Sequence, residues 1–202
     1  MMGEGSASSF EIAIHGRGGQ AAKTAGEVIV HTLYRKGFSP HGQPRYTADR
    51  MGAPVSYAIR FRPDRARIFD RSWVRHPQVV VLCDISLVEQ LDLAPTWRPG
   101  ITVIVNAAPE SPGLAALAAF RVARVDANRI AREVGLMKGS VPILSTAMAG
   151  AFARVSGLIT LDDVLEALRR EGTAAVGQNL EANIQAAHRG FAEVEDPVEP
   201  AR

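Results

Sequence analysis

The opening of the chain restricts its fold more than any other stretch. Phe10-Glu11-Ile12-Ala13-Ile14 alternates apolar and polar residues and runs directly into Gly16-Arg17-Gly18-Gly19-Gln20-Ala21. Beyond it, Ala22, Ala25, Ile29 and Leu33 recur at helical spacing, and Gly37 is placed to end that helix. A strand, a glycine turn and a helix in that order begin a layered α/β domain. The pattern satisfies G-x-G-x-x-G/A. In this context a helix N-terminus offers unpaired amides beside a backbone free of side chains, where a phosphate can approach. A merely tight turn has the same spelling.

The elements that follow support the same architecture. Residues 38–54 are rich in Gly, Pro, Ser and charge and read as a long irregular loop, a kind that is often functional. Val55, Tyr57, Ile59 and Phe61 then mark one face of a period-two strand, with Ser56, Ala58, Arg60 and Arg62 on the other. Pro63-Asp64 predicts a turn into a hairpin partner around Arg67, Ile68 and Phe69. Val79–Leu82 and residues 101–105 are apolar without alternation, as central strands covered on both faces are, and 85–93 offers a short helix between them.

A strand at 120–125 leads to Asp126, a helix N-cap, and the remainder is helical. Residues 143–155 are apolar nearly all round; Thr160 with Asp163 suggests a cap before the stripe Leu161, Val164, Leu165 and Leu168; a last helix carries Leu180, Ile184, Ala187 and Phe191. The expected fold is a three-layer, Rossmann-like α/β domain with a mostly parallel sheet and C-terminal helices. Residues 1–9 read as a disordered tail, 10–192 as the domain, and 193–202 as a frayed C-terminal tail.

Composition excludes several classes. Of 202 residues, 47% are hydrophobic and 22% charged, and the net charge is only +2, so the whole molecule does not attract nucleic acid. Six arginines fall between Arg60 and Arg75, but no interleaved exposed aromatics are expected there to stack bases; a solvated hairpin face or an acidic partner subunit suits them better. The single cysteine, Cys83, lies in an apolar strand and reads as core; it cannot build a disulfide or an iron–sulfur cluster within this chain. The five histidines are scattered, and no metal set or nucleophile elbow is spelled out. His15 borders the glycine turn, either near a ligand or as an ordinary strand-end histidine. No secretory signal or membrane span is visible, so a cytoplasmic location is expected.

The ligand of the turn does not read as NAD. An acid about 20 positions on would hold the ribose, whereas Tyr34-Arg35-Lys36-Gly37-Phe38-Ser39 holds two cations and no acid. A molecule with an additional phosphate, NADP or coenzyme A, fits better. Arg17 and Lys23 add charge beside the turn, although Lys23 reads equally as a solvated helix residue.

The stretch from Phe10 through His15-Gly16-Arg17-Gly18-Gly19-Gln20 resembles the opening of the gamma subunit of pyruvate and related 2-oxoacid:ferredoxin oxidoreductases. The likeness continues in order through Pro44-Arg45-Tyr46-Thr47-Ala48-Asp49-Arg50-Met51-Gly52-Ala53-Pro54-Val55, Val80-Val81-Leu82-Cys83-Asp84, Ile104-Val105-Asn106, Val125-Asp126-Ala127 with Ile130-Ala131, Gly150-Ala151 with Gly157, and Ala182-Asn183 with Gly190. The resemblance implies an enzyme that oxidatively decarboxylates a 2-oxoacid, pyruvate foremost, on thiamine diphosphate, passing electrons through iron–sulfur clusters to external ferredoxin and the acyl group to coenzyme A. It places the thiamine site on alpha- and beta-type partner subunits and the clusters on a ferredoxin-like subunit. It gives this chain a share in holding coenzyme A: Gly16, Arg17, Gly18, Gly19 and Gln20 near its phosphates, with Asp49 and Arg50 on the loop facing ligand or partner. Ala21 stands where the family usually has glycine, Thr47 and Asp49 where it has Gly and Glu, and Ser145 where it tends to have Asn. The alternatives are a purely structural docking subunit of the same complex and a stand-alone NADP-binding Rossmann protein.

Overall fold

The computed structural model describes residues 9–46, 52–171 and 179–200. Six strands form one sheet: β1 (Phe10–Arg17), β2 (His41–Tyr46), β3 (Pro54–Phe61), β4 (Val79–Leu82), β5 (Thr102–Asn106) and β6 (Arg121–Val125), in the order β2-β3-β1-β4-β5-β6. β1, β4, β5 and β6 are parallel, and β3 runs antiparallel to both β1 and β2. The expected mostly parallel α/β fold is what forms. β4 is buried throughout and β5 nearly so, because central strands meet core on both faces.

The helices are α1 (Ala22–Arg35), α2 (Leu87–Gln90), α3 (Ala127–Glu133), α4 (Ser145–Ser156), α5 (Leu161–Glu171) and α6 (Leu180–Glu193). Ile12 and Ile14 of β1 share one core with Ile59 and Phe61 of β3 and with residues of α1, α3, α4, α5 and α6. Ala13 points to the other core, with Val80, Leu82, Val103, Val105 and Trp97 beneath the thin layer around α2. Phe61 anchors the first core, its ring 5.3 Å from Phe10 and 5.0 Å from Phe38. Burying one such ring contributes about 2–3 kcal/mol.

The strand order turns back at β1. From there the chain goes outward to the β2–β3 hairpin on one side, then to β4, β5 and β6 on the other. The connections lie on opposite faces, α1 on one and α2 on the other. Such a reversal opens a crevice at the carboxyl ends of the two strands beside it. The glycine turn follows β1, and it sits at that crevice.

The helical third is locked by small residues and caps. A Cβ on Gly150 would lie 2.0 Å from the Ala187 carbonyl oxygen, and one on Gly190 2.0 Å from that of Ala147. Backbone therefore meets backbone where α4 crosses α6. Asp126 accepts from the Arg129 amide at 2.9 Å, as its N-cap role requires. Thr160 and Asp163 form a reciprocal box: the Thr160 amide donates to Asp163 Oδ2 at 2.8 Å, and the Asp163 amide to Thr160 Oγ1 at 3.2 Å.

Four expectations are corrected. The stretch 38–54 is not all loop, since it contains β2, which pairs with β3 from His41↔Arg60 to Tyr46↔Val55. Arg67, Ile68 and Phe69 form no strand; β2 is the hairpin partner instead. Arg60 is not solvated but 5% exposed, paired with Glu11 at 2.7 Å and Asp70 at 2.9 Å. The described residues after α6 are not a free tail: Val198 bridges Val122 antiparallel, and Glu195, Asp196 and Glu199 pair with Arg124, Arg154 and Arg121. The first eight residues, expected to be a tail, lie outside the described residues.

Candidate functional site

β1 continues through Arg17, so the turn proper is Gly18 to Ala21. Gly16 serves packing: a Cβ there would stand 2.7 Å from Ala22 Cβ and 3.0 Å from Cys83 Cβ. Its missing side chain lets α1 start close against β4. The Gly18 amide donates to the Ala53 carbonyl at 2.8 Å, and the Gly52 amide to the Gly18 carbonyl at 3.1 Å. The Gln20 amide returns to the Arg17 carbonyl at 3.0 Å, while Gln20 Oε1 accepts from the Arg17 amide at 2.8 Å. Gly19 has φ +102°, and Ala21, just before α1, has φ +60°.

No side chain caps α1, and its first turn holds no acid. Its orphan amides and the positive end of its dipole therefore open at the carboxyl edge of the sheet. The start of α4 comes to the same place, since the Leu144 amide donates to the Gln20 carbonyl at 3.3 Å. Ser145 Oγ, next along, is buried without a hydrogen-bond partner.

Arg17 lies at the turn as expected, but its guanidinium is engaged on every nitrogen. Nε donates to Asp84 Oδ2 at 2.9 Å, Nη1 to the Gly52 carbonyl at 3.1 Å, and Nη2 to Ser86 Oγ and Gln90 Oε1, both at 2.7 Å. Gln20 Nε2 reaches the same Asp84 oxygen at 3.3 Å. Burial pushes the Asp84 carboxyl up, but hydrogen bonds from the Ser86 hydroxyl and amide and the Arg17 guanidinium outweigh it and hold the group below the ordinary carboxylate range. Arg17 thus pins the end of β1 to the β4–α2 connection and to Gly52. Asp84, which ends one of the segments carrying the resemblance, and Ser86 and Gln90 are not among the site residues expected from the sequence. The available signal was an acid directly after a central strand, at its carboxyl end.

Lys23 is on the first turn of α1 and pairs with Glu27 at 2.9 Å. Asp49 and Arg50 lie outside the described residues. The two cations read as a home for an additional phosphate are occupied: Arg35 bonds Glu166, and Lys36 bonds Asp163 at 2.8 Å. The strand after α1, β2, does not pair beside β1, because the antiparallel β3 lies between them, so among the described residues the usual ribose position of a nicotinamide site is not built. Cys83 is fully buried, its thiol pushed up to about 12 by burial and by neighbouring Asp84. His15 is also buried, and burial pushes its imidazole down to about 4. Among the described residues no cluster of His, Cys, Asp and Glu could hold a metal, and no helix is long and apolar enough to cross a membrane.

The fold and the turn define a doubly wound α/β domain with an uncapped helix at its switch point. Sequence comparison places it further: the chain belongs to the pyruvate ferredoxin/flavodoxin oxidoreductase family, matching it over residues 11–193, and within it to the gamma subunits of 2-oxoacid:ferredoxin oxidoreductases. It is 34% identical over 193 residues to the pyruvate/ketoisovalerate oxidoreductases common subunit gamma of Thermococcus kodakarensis, covering 90% of this chain and 95% of that one. The crystal structure of pyruvate oxidoreductase subunit PORC from Thermotoga maritima superposes with a TM-score of 0.74 at 27% identity, covering 93% of this chain and 97% of that one. The 2-oxoglutarate:ferredoxin oxidoreductase of Magnetococcus marinus, solved with 2-oxoglutarate, coenzyme A and succinyl-CoA bound, shares the fold: TM-score 0.66, 17% identity, 96% of this chain and 33% of that one. The chain is accordingly a subunit of an oxidoreductase complex.

Proposed function

We propose that this subunit helps hold coenzyme A in a complex that oxidatively decarboxylates a 2-oxoacid, pyruvate foremost, to its acyl-CoA. Thiamine diphosphate and the iron–sulfur clusters belong to partner subunits of alpha, beta and ferredoxin-like type, and external ferredoxin takes the electrons. The observation that carries this reading is the uncapped start of α1, placed by the glycine turn at the switch-point crevice. The residues fit the group: Gly18 and Gly19 present backbone alone, and Arg17 and Lys23 supply positive charge on either side of the turn. Asp49 and Arg50, which fall between β2 and β3 in the sequence, are assigned to the same ligand or to a partner by resemblance. When bound, coenzyme A supplies the thiol that accepts the acyl group. This chain's part is to bind and orient its phosphates.

The test is the KM for coenzyme A in the assembled enzyme, with Arg17→Gln and Lys23→Gln introduced separately. The Arg17 substitution is expected to raise that KM about tenfold, because the turn loses a neighbouring positive charge and the contacts to Asp84 and Gly52 that position it, and to leave the KM for pyruvate unchanged. An unchanged KM for coenzyme A in a normally assembled complex would sink the assignment.

One observation favours a docking role instead: the Arg17 guanidinium is already consumed inside the chain. Under that reading the exposed Arg67, Arg71 and Arg75, around a Phe69 that is 86% exposed, meet an acidic partner subunit. Assembly that weakens with salt, together with no effect of Arg17→Gln on coenzyme A, is its signature.

A further inference from the structure

A second site lies on the face of the sheet turned away from α1. His15 of β1 stands opposite Ser56 of β3, and Ser56 stands opposite Arg45 of β2. Residues directly opposite in a ladder share a face, so the three form one row, its ends about 10 Å apart by strand spacing. Above the row is a cavity of about 310 Å³, closed by Pro54, Trp73, Leu91 and Leu93. A smaller one of about 90 Å³ adjoins it behind His15 and Trp73.

The polar groups in this cavity are few and specific. His15 is 7% exposed and lines both cavities. Its Nδ1 is 2.9 Å from Ser56 Oγ, and its Nε2 has no partner among the described residues. When the serine hydroxyl donates to Nδ1, the hydrogen of the neutral ring sits on Nε2, which becomes a donor. Arg45 supplies the second donor from the rim, its guanidinium carbon 5.5 Å from the centre of the Trp73 ring. The lining contains one cation and no carboxylate, and the rest of the wall is apolar. A few convergent donors in an apolar hollow are how small-ligand sites are built.

We propose that this cavity binds a small organic carboxylate, its head between His15 Nε2 and the Arg45 guanidinium and its hydrocarbon part against Trp73, Leu91 and Leu93. A phosphate suits it less well, since a dianion would meet a single cation and a largely apolar wall. The site is separate from the glycine turn and does not rest on the coenzyme A reading.

The experiment is an NMR titration of the full chain with isobutyrate, and with isobutyramide as its neutral counterpart, following the imidazole nitrogens. His15→Gln identifies the resonance. Isobutyrate is expected to move the His15 Nε2 signal saturably while isobutyramide does not, and Arg45→Gln, on an exposed edge strand, to weaken binding about tenfold. No movement with isobutyrate, equal movement with the amide, or unchanged affinity in Arg45→Gln would each overturn the proposal. Displacement of isobutyrate by coenzyme A would overturn it too, because the cavity would then belong to the coenzyme.

Discussion

Arg17 Nε donates to Asp84 Oδ2 across 2.9 Å, and this bond joins residues 67 positions apart at the ends of neighbouring parallel strands. Both side chains are about three-quarters buried, at 26% and 21% exposure. Asp84→Asn should cost about 1–2 kcal/mol, because a charge-assisted bond becomes a neutral one and Arg17 loses its counterion. The folded-state pKa of Asp84 is depressed, so its contribution is present above the ordinary carboxylate value and is lost as pH falls through the folded one. Urea midpoints of wild type and Asp84→Asn should therefore differ at neutral pH, and the difference should begin to shrink as pH falls below about 4. A difference that persists undiminished at acid pH contradicts this account.

His15 acts over a different window. Its pKa falls from 6.5 to about 4 on burial, so the folded state resists a proton that the unfolded chain accepts. The resulting stability is complete above pH 6.5 and drains away as pH drops toward 4, by roughly 3 kcal/mol at most. His15→Gln should flatten the pH dependence of the urea midpoint in that interval relative to wild type. Equal slopes would show that the imidazole titrates normally.

Ala21 adopts φ +60° without being glycine, at the entry to α1. Relieving the clash of its Cβ with the backbone should outweigh the added freedom of the unfolded chain. Ala21→Gly is thus expected to raise stability by about 1 kcal/mol, readable as a higher thermal midpoint. A lower midpoint would mean that the turn carries no strain there.

At the α4–α6 crossing there is no room to adapt. Gly190→Ala would drive a methyl to within 2.0 Å of the Ala147 carbonyl oxygen, and backbone cannot step aside as a flexible side chain can. A loss of about 3 kcal/mol or more is expected. Gly100→Ala is the control for a glycine with no neighbours, since nothing lies within 4 Å of its added Cβ; its φ of +87° leaves only local backbone strain to measure. Comparable losses in the two variants would remove packing as the cause.

What could be read from the residues was local. The β1–turn–α1 unit, the buried runs of β4 and β5, the Asp126 cap and the Thr160–Asp163 box are each written within a few positions. β2 was hidden because Gly42 and Pro44 argue against a strand, yet both are at home on an edge. Pro44 needs no central ladder bond there, and Gly42 leaves the space taken by the Tyr57 hydroxyl, 2.3 Å from where its Cβ would be. Arg60 looked solvent-facing by alternation alone, since nothing nearby says that residues 63–78 fold back over that face. The acidic tail likewise resembled a solvated end, and its arginine partners on β6 and α4 are 42 to 78 residues away. Of the candidate site, the turn was legible, but the carboxylate holding Arg17 came from another strand.

The closeness that excludes a side chain from Gly16 also shields the chain's single thiol. Cys83 is enclosed by β1 and the start of α1, and its high pKa leaves almost no thiolate at neutral pH. An alkylating reagent can reach it only when the middle of the sheet comes apart. The protein therefore contains its own stopwatch: with reagent in excess, the appearance of a single mass adduct times the opening of the sheet around Cys83, with no label attached and no second cysteine to confuse the reading.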